Sequence, residues 1–266
     1  MIDIKKRIFI YILAFIVTIS VLSGIVSAYP IIPYDVIEKE ESVPLNLDYE
    51  LYRGKYVASN GMKIGYVIYV PENATTNMPI IVWLHGIGKV GKTLPDNYGL
   101  IKSVNELNEK RFIILQPEAK QDWTAKKQFS ATLDLIDMIV AKYKVDADRV
   151  ILSGHSLGAI GAWYYAEKET ERWAAVVPVS SRAMIKLNNL QESDVPVWAF
   201  CTNGDVRENV YGMKNNIDTL LLANPDRDVL YTKIKGVSHS NMSYAPYTKD
   251  FFDWVEKQKK KKVLTN

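Results

Sequence analysis

Five short apolar runs recur along this chain with no polar residue alternating through them, at residues 80–84, 112–115, 150–152, 174–179 and 197–201. A strand with one wet face reads apolar, polar, apolar. An unbroken run suits a strand buried on both faces, as in a parallel sheet. Parallel neighbours need a long crossover to return the chain to the same end, and the segments between the runs have helical spacing. Residues 131–143 carry Leu133, Ile136, Met138, Ile139 and Val140; residues 210–223 carry Ile217, Leu220, Leu221 and Leu222; residues 247–257 carry Phe251, Phe252, Trp254 and Val255. A further helix is predicted over 157–168. Strand then helix, repeated, predicts an α/β domain with a mostly parallel central sheet and helices on both faces. With 266 residues, 48% of them hydrophobic, the chain can bury the core such a domain needs.

Ahead of this rhythm, residues 49–58 and 62–70 read as two strands. Asn60-Gly61 between them is a hairpin turn signal, because both residues tolerate positive φ. An N-terminal antiparallel hairpin is therefore expected beside the parallel strands. At the start of the chain, Lys5, Lys6 and Arg7 precede an apolar stretch over 8–25, followed by the small residues Val26-Ser27-Ala28. This pattern predicts a secretory signal over 1–28. The alternative is an uncleaved membrane anchor, since the stretch is about long enough to span a bilayer. Either way the rest of the chain is expected outside the cytoplasm. Pro30, Pro33, Pro44 and the acidic stretch 38–41 make 29–47 an extended leader. Residues 259–266 read as a solvated basic tail. The net charge of +3 lies partly in the first segment, which argues against a nucleic-acid partner. The single cysteine, Cys201, sits in an apolar run and is expected to be buried. No Cys/His cluster has metal-ligand spacing, so neither a metal nor a cofactor is expected.

Gly154-His155-Ser156-Leu157-Gly158 follows the strand-like 149–153 and precedes a helical segment. On such a strand–turn–helix a serine sits on a sharp turn, and glycines flank it because side chains there would collide. A serine hydroxyl needs an adjacent base to attack at neutral pH. The chain has three histidines. His155 is locked inside the turn, and His85 belongs to Leu84-His85-Gly86. His239 follows the apolar strand 229–234 and precedes the last helix, which makes it the candidate base. The base needs a carboxylate to orient it. Asp205, in Asn203-Gly204-Asp205 at the C-terminal end of a strand, is the first candidate and Glu208 the reserve. Oxyanion donors are expected from the N–H of Leu157 and from the glycine-containing loop Gly86-Ile87-Gly88. In that loop Ile87 is the first choice, Gly86 the alternative, and His85 a scaffold residue. Trp123 and His155 are candidate substrate contacts.

These segments resemble secreted α/β-hydrolases of the polyhydroxybutyrate depolymerase, feruloyl esterase and predicted-peptidase group. The likeness runs in order from Leu84-His85-Gly86, through Gln116-Pro117 with Trp123 and Ser153-Gly154-His155-Ser156-Leu157-Gly158-Ala159, to Asn203-Gly204-Asp205, the loop 236–239 and Phe252 with Trp254. It covers residues 62–256. Lys89 and Lys92 stand where an acidic residue is common in that group. The resemblance implies a hydrolase domain over 48–258 that cleaves carboxylic esters, small or polymeric, through Ser156, His239, Asp205 and an acyl-enzyme. A peptide substrate, or a non-catalytic binding protein on the same fold, are the competing readings. The connection 179–197 is too short for a large cap domain, so an open cleft is expected. The membrane is a partner only if the first segment stays uncleaved.

Overall fold

The computed structural model describes residues 38–42, 49–184 and 186–261. The expected signal segment, most of the leader and the end of the tail lie outside these. The described strands are β1 (Glu38–Ser42), β2 (Tyr49–Val57), β3 (Lys63–Pro71), β4 (Ile80–Leu84), β5 (Ile113–Pro117), β6 (Val150–His155), β7 (Ala175–Val179), β8 (Val197–Gly204) and β9 (Val229–Ser238). They form one sheet in the order β1-β2-β3-β5-β4-β6-β7-β8-β9. The first three strands pair antiparallel, β3 joins β5 antiparallel, and every pairing from β5 to β9 is parallel. β1 falls inside the expected leader, where it pairs with β2.

The hairpin β2–β3 turns at Asn60-Gly61, but only Gly61 takes positive φ, at 77°. Asn60 contributes through its side chain instead, its Oδ1 accepting from Met62 N–H at 2.9 Å. The apolar runs at β4, β5 and β7 are buried at every position, as a two-faced strand requires.

Among the described residues six helices complete the layers: α1 (Leu100–Leu107), α2 (Lys126–Lys142), α3 (Leu157–Lys168), α4 (Asn188–Glu192), α5 (Arg207–Ala223) and α6 (Lys249–Glu256). Leu100, Ile101 and Val104 of α1 and Phe251, Phe252 and Val255 of α6 pack in one cluster with Ile81, Trp83, Ile114, Ile151 and Val177. Helix α3 packs on β4, β6 and β7, and α5 on β8 and β9. Within α3 the approach is close: a Cβ on Gly161 would meet Leu84 Cδ1 at 3.1 Å. Residues i and i+2 of a strand share a face, so Leu84 is on the face opposite Ile81 and Trp83. Helices α1 and α4 were not expected from the sequence. In α1 the apolar positions 100, 101, 104 and 107 do have helical spacing. In α4 only Leu190 is buried, and the Glu167 carboxylate of α3 holds its first turn, accepting from Asn189 and Leu190 N–H, each at 3.1 Å. The connection after β7 is thus docked on α3 and builds no large cap. Among the described residues no helix is long and apolar enough to cross a membrane.

Candidate active site

Three strand ends bring the expected residues together. Ser156 stands between β6 and α3 with φ 58° and ψ −116°, a conformation outside the relaxed left-handed region. The packing around it explains both glycines. A Cβ on Gly154 would lie 2.3 Å from the Gly158 carbonyl oxygen, and one on Gly158 would lie 1.9 Å from that of Leu84. Real side chains cannot occupy either place, so the turn stays tight and β4 ends against it.

The Ser156 Oγ is 3.0 Å from His239 Nε2, and His239 Nδ1 is 2.5 Å from Asp205 Oδ1. A carboxylate only accepts, so Nδ1 carries the proton and Nε2 is free to accept from the serine hydroxyl. The Asp205 side chain is fully buried and that of His239 is 37% exposed. Burial, the largest single influence on Asp205, raises its pKa. Hydrogen bonds from His239, the Thr202 N–H and the Ser180 hydroxyl together outweigh it and hold the carboxyl below the usual range. Glu208, the reserve candidate, belongs to α5, and it is Asp205 that meets the histidine.

The loops carrying acid and base are pinned to each other. Thr202 Oγ donates to the Val237 carbonyl at 2.6 Å, and Gly236 N–H donates to Asn203 Oδ1 at 3.0 Å. The β8–β9 register shifts between Thr202 and Gly204, which turns the end of β8 and delivers Asp205. Ser180, at the end of β7, was not anticipated. It is buried, has φ 56°, and its hydroxyl donates to Asp205 Oδ2 at 2.8 Å. The strand-end reasoning that selects Asp205 applies equally to this polar residue one strand away.

Leu157 is the first residue of α3, so its N–H is one of the donors a helix N-terminus leaves unused. Ile87 opens a 3-10 turn over Ile87–Lys89 beside the serine: a Cβ on Gly86 would sit 3.4 Å from Ser156 Cβ. His85 sets the plane of the peptide between Gly86 and Ile87. Its Nδ1–H donates to the Gly86 carbonyl at 2.9 Å while its Nε2 accepts from Ala119 N–H at 3.0 Å. In a trans peptide the carbonyl and the following N–H point in opposite directions. Fixing the Gly86 carbonyl therefore aims the Ile87 N–H away from His85. The ring must be neutral to accept at Nε2, and burial lowers its pKa to about 4.

The two candidate substrate contacts are corrected. Trp123 is 0% exposed and cannot touch a ligand. Its Nε1–H donates to the His85 carbonyl at 2.9 Å and its ring meets His85 edge-on, so it braces the loop from behind. His155 is buried too, and its Nε2–H donates to the His239 carbonyl at 2.8 Å. Burial first, and the neighbouring His239 second, lower its pKa to about 4. It holds the backbone of the candidate base and faces no open space. Among the described residues no cluster of His, Cys, Asp and Glu could hold a metal ion. Cys201 is buried, with Sγ 2.9 Å from Tyr231 Oη.

In solved structures the same architecture recurs. A thermostable esterase superposes with a TM-score of 0.65 at 20% identity, covering 80% of this chain and 63% of that one. A structure named FAE gives 0.64 at 15%, covering 82% and 95%. The chain has an α/β-hydrolase fold. An acylaminoacyl peptidase of Pyrococcus horikoshii shares the fold as well, with a TM-score of 0.62 at 14% identity, covering 83% of this chain and 44% of that one. The family BD-FAE matches residues 67–189 of this chain. In sequence it is 25% identical over 147 residues to the bifunctional acetylxylan esterase/xylanase XynS20E of Neocallimastix patriciarum, covering 52% of this chain and 21% of that protein. It is 26% identical over 162 residues to acetylxylan esterase A of Aspergillus awamori, covering 55% and 52%. The chain thus spans about a fifth and about half of these two relatives.

Proposed function

We propose that the protein hydrolyses carboxylic esters through an acyl-enzyme, with Ser156 as nucleophile, His239 as general base and acid, and Asp205 orienting His239. The observation that carries this reading is the continuous chain from Ser156 Oγ through His239 to a buried Asp205, built on a strained turn. Ser156 Oγ attacks the ester carbonyl carbon while His239 Nε2 takes its proton. The N–H groups of Leu157 and Ile87 receive the developing oxyanion. The intermediate collapses with cleavage of the bond to the alcohol oxygen, and the His239 imidazolium protonates that oxygen. Water then repeats the sequence on the acyl-enzyme. Asp205 stays ionised throughout, which its lowered pKa favours.

Ester rather than peptide chemistry is favoured by the two sequence relatives, both named acetylxylan esterases. The likeness to peptidases is one of fold. Among the described residues the connection after β7 is docked on α3, which supports a bulky or polymeric ester as substrate. The charged and apolar pattern over 1–28 supports export of the domain. A fluorophosphonate probe should modify the wild-type protein at Ser156 and leave Ser156→Ala unmodified, with acetate released from aryl and sugar acetates by wild type alone. Wild type that escapes labelling and turns over no ester overturns the proposal.

A further inference from the structure

The ion pairs of this molecule are unevenly placed. At the N-terminal ends of the parallel strands cations meet carboxylates: Arg111 with Glu109, Asp253 and Glu256, Arg172 with Asp137, Lys259 with Asp146, Lys260 with Asp148, and Lys261 with Asp194. At the C-terminal ends Arg53 faces Asp96 and Glu118, but other cations are left without such partners. Lys89 lies 4.9 Å over the Tyr98 ring and Lys92 Nζ donates to the Gly88 carbonyl at 3.1 Å. Lys120 and Arg182 are exposed. Among the described residues none of these four has a carboxylate within ion-pair distance.

They sit on the loops that leave the C-terminal ends of β4, β5 and β7. Gly86 is packed against Ser156, and Lys89 is three residues on, at most about 11 Å along the chain. Lys92 is anchored at Gly88, nearer still. Arg182 follows two residues after Ser180, which touches Asp205. These spans are comparable with the Debye length of about 8 Å at physiological salt. Most opposing charge on the same end is already engaged. Asp205 is buried against His239, and Asp96 and Glu118 face Arg53, while Asp122 accepts from the neutral Thr124 and keeps its charge.

We propose that this rim selects esters carried on an anionic molecule, so that the substrate has a negatively charged group near the scissile bond, a carboxylate or a phosphate on the alcohol part. The inference rests on the ester-hydrolase reading. Unpaired cations around a cleft concentrate an anionic ligand there and raise kcat/KM, and added salt screens the effect.

Three matched acetate esters test it: an acetylated methyl glucoside, the corresponding methyl glucuronoside, and the corresponding glucoside 6-phosphate. Acetate release is measured at about 0.01 M and about 1 M salt, where the Debye length falls from about 30 Å to about 3 Å. The wild type should favour at least one anionic ester over the neutral one by about tenfold in kcat/KM at low salt, the lower end of such focusing. The preference should vanish at high salt. A uronate preference alone identifies a carboxylate, and a phosphate preference alone a phosphoryl group. In Lys92→Gln/Arg182→Gln the ratio of anionic to neutral turnover should shrink. That ratio is the readout, so a general loss of activity does not imitate the effect. Equal rates on all three esters at both salts overturn this inference and leave the hydrolase reading standing. Failure of the wild type to turn over any ester removes both.

Discussion

The two ends of the parallel strands are made by the same chain segments, yet they handle backbone strain and charge in opposite ways. At the N-terminal ends, residues with positive φ are relaxed terminators: Asn108 caps α1 at φ 51° and ψ 45°, and Lys144 closes the turn after α2. Arg111, Arg172, Lys259, Lys260 and Lys261 there are paired with acids. At the C-terminal ends Ser156 is held at ψ −116°, well outside the left-handed well, and Ser180 takes φ 56° while fully buried. His85 and His155 there are buried and neutral, and among the described residues Lys89, Lys92, Lys120 and Arg182 have no carboxylate within ion-pair distance. One end closes the fold and the other gathers Ser156, His239 and Asp205. Strain and buried polarity of this kind cost about 1–3 kcal/mol per residue and persist where surrounding packing enforces them.

The largest test of this contrast is chemical. Ser156→Ala should lower kcat by about 10^6-fold, and Asp205→Asn by about 10^4-fold, the scales known for serine hydrolases of this logic. Steady-state hydrolysis of an aryl acetate measures both. Near-normal turnover in Asp205→Asn would break the assignment of that carboxylate.

Next in size is Gly158→Ala. The added methyl would meet backbone at 1.9 Å, which cannot give way as a flexible side chain would. Overpacking of this kind should cost about 3 kcal/mol or more, read as a lowered Tm. Gly88→Ala is the matched control: nothing lies within 4 Å of its Cβ position, and its melting should match wild type.

How far these features were legible depends on the range of the interactions that create them. The two-faced strands and the Asn60-Gly61 turn are short-range patterns. Unbroken burial and turn chemistry leave direct marks in the sequence. The positions of Ser156, Asp205 and His239 were legible because strand ends and chain order constrain them. Trp123, His155 and Ser180 were misread or missed for the opposite reason. Trp123 meets a carbonyl 38 positions away, His155 one 84 positions away, and Ser180 a carboxylate 25 positions away. An indole or imidazole at a strand end looks the same in sequence whether it faces a ligand or braces a loop from behind. Helix α4 has a single buried residue and owes its first turn to Glu167, so no periodicity announces it.

The buried histidines sharpen the comparison through pH. His85 and His155 titrate at about 4 when folded, against 6.5 when exposed. Between those values the unfolded chain binds protons that the folded chain refuses. Their share of stability is therefore complete above about pH 6.5 and is lost as the pH falls toward 4. At pH 4.5 each should remove about 2 to 3 kcal/mol. Urea unfolding at pH 7 and pH 4.5 measures the sum, and His85→Gln should flatten the difference. The far end contributes little in this window, because the acids around Arg111, Glu109 foremost, raise its pKa further and it stays charged.

Ser180→Ala removes one of three donors to the Asp205 carboxylate. A hydrogen bond to a charged group is worth about 1.5–3 kcal/mol. Part of this should appear as a roughly tenfold fall in kcat with KM little changed, since the lost contact orients His239 and touches no substrate. An unchanged kcat with a lowered Tm would reduce Ser180 to a packing residue.

The smallest effect is expected on the paired surface. Lys214 and Asp218 sit one turn apart on α5 with Nζ 2.5 Å from the carboxylate, and both side chains are about half exposed. Water screens such a pair, and holding two flexible side chains in place costs entropy. Pairs of this spacing are worth about 0.3–0.5 kcal/mol. Lys214→Ala should therefore shift Tm by no more than a degree or two and leave ester turnover and its salt dependence as in wild type. The same charge removed at Arg182 should change the salt dependence. Equal responses at the two sites would mean that net charge alone governs the kinetics. A response confined to Arg182 ties it to where an unpaired cation stands relative to Ser156.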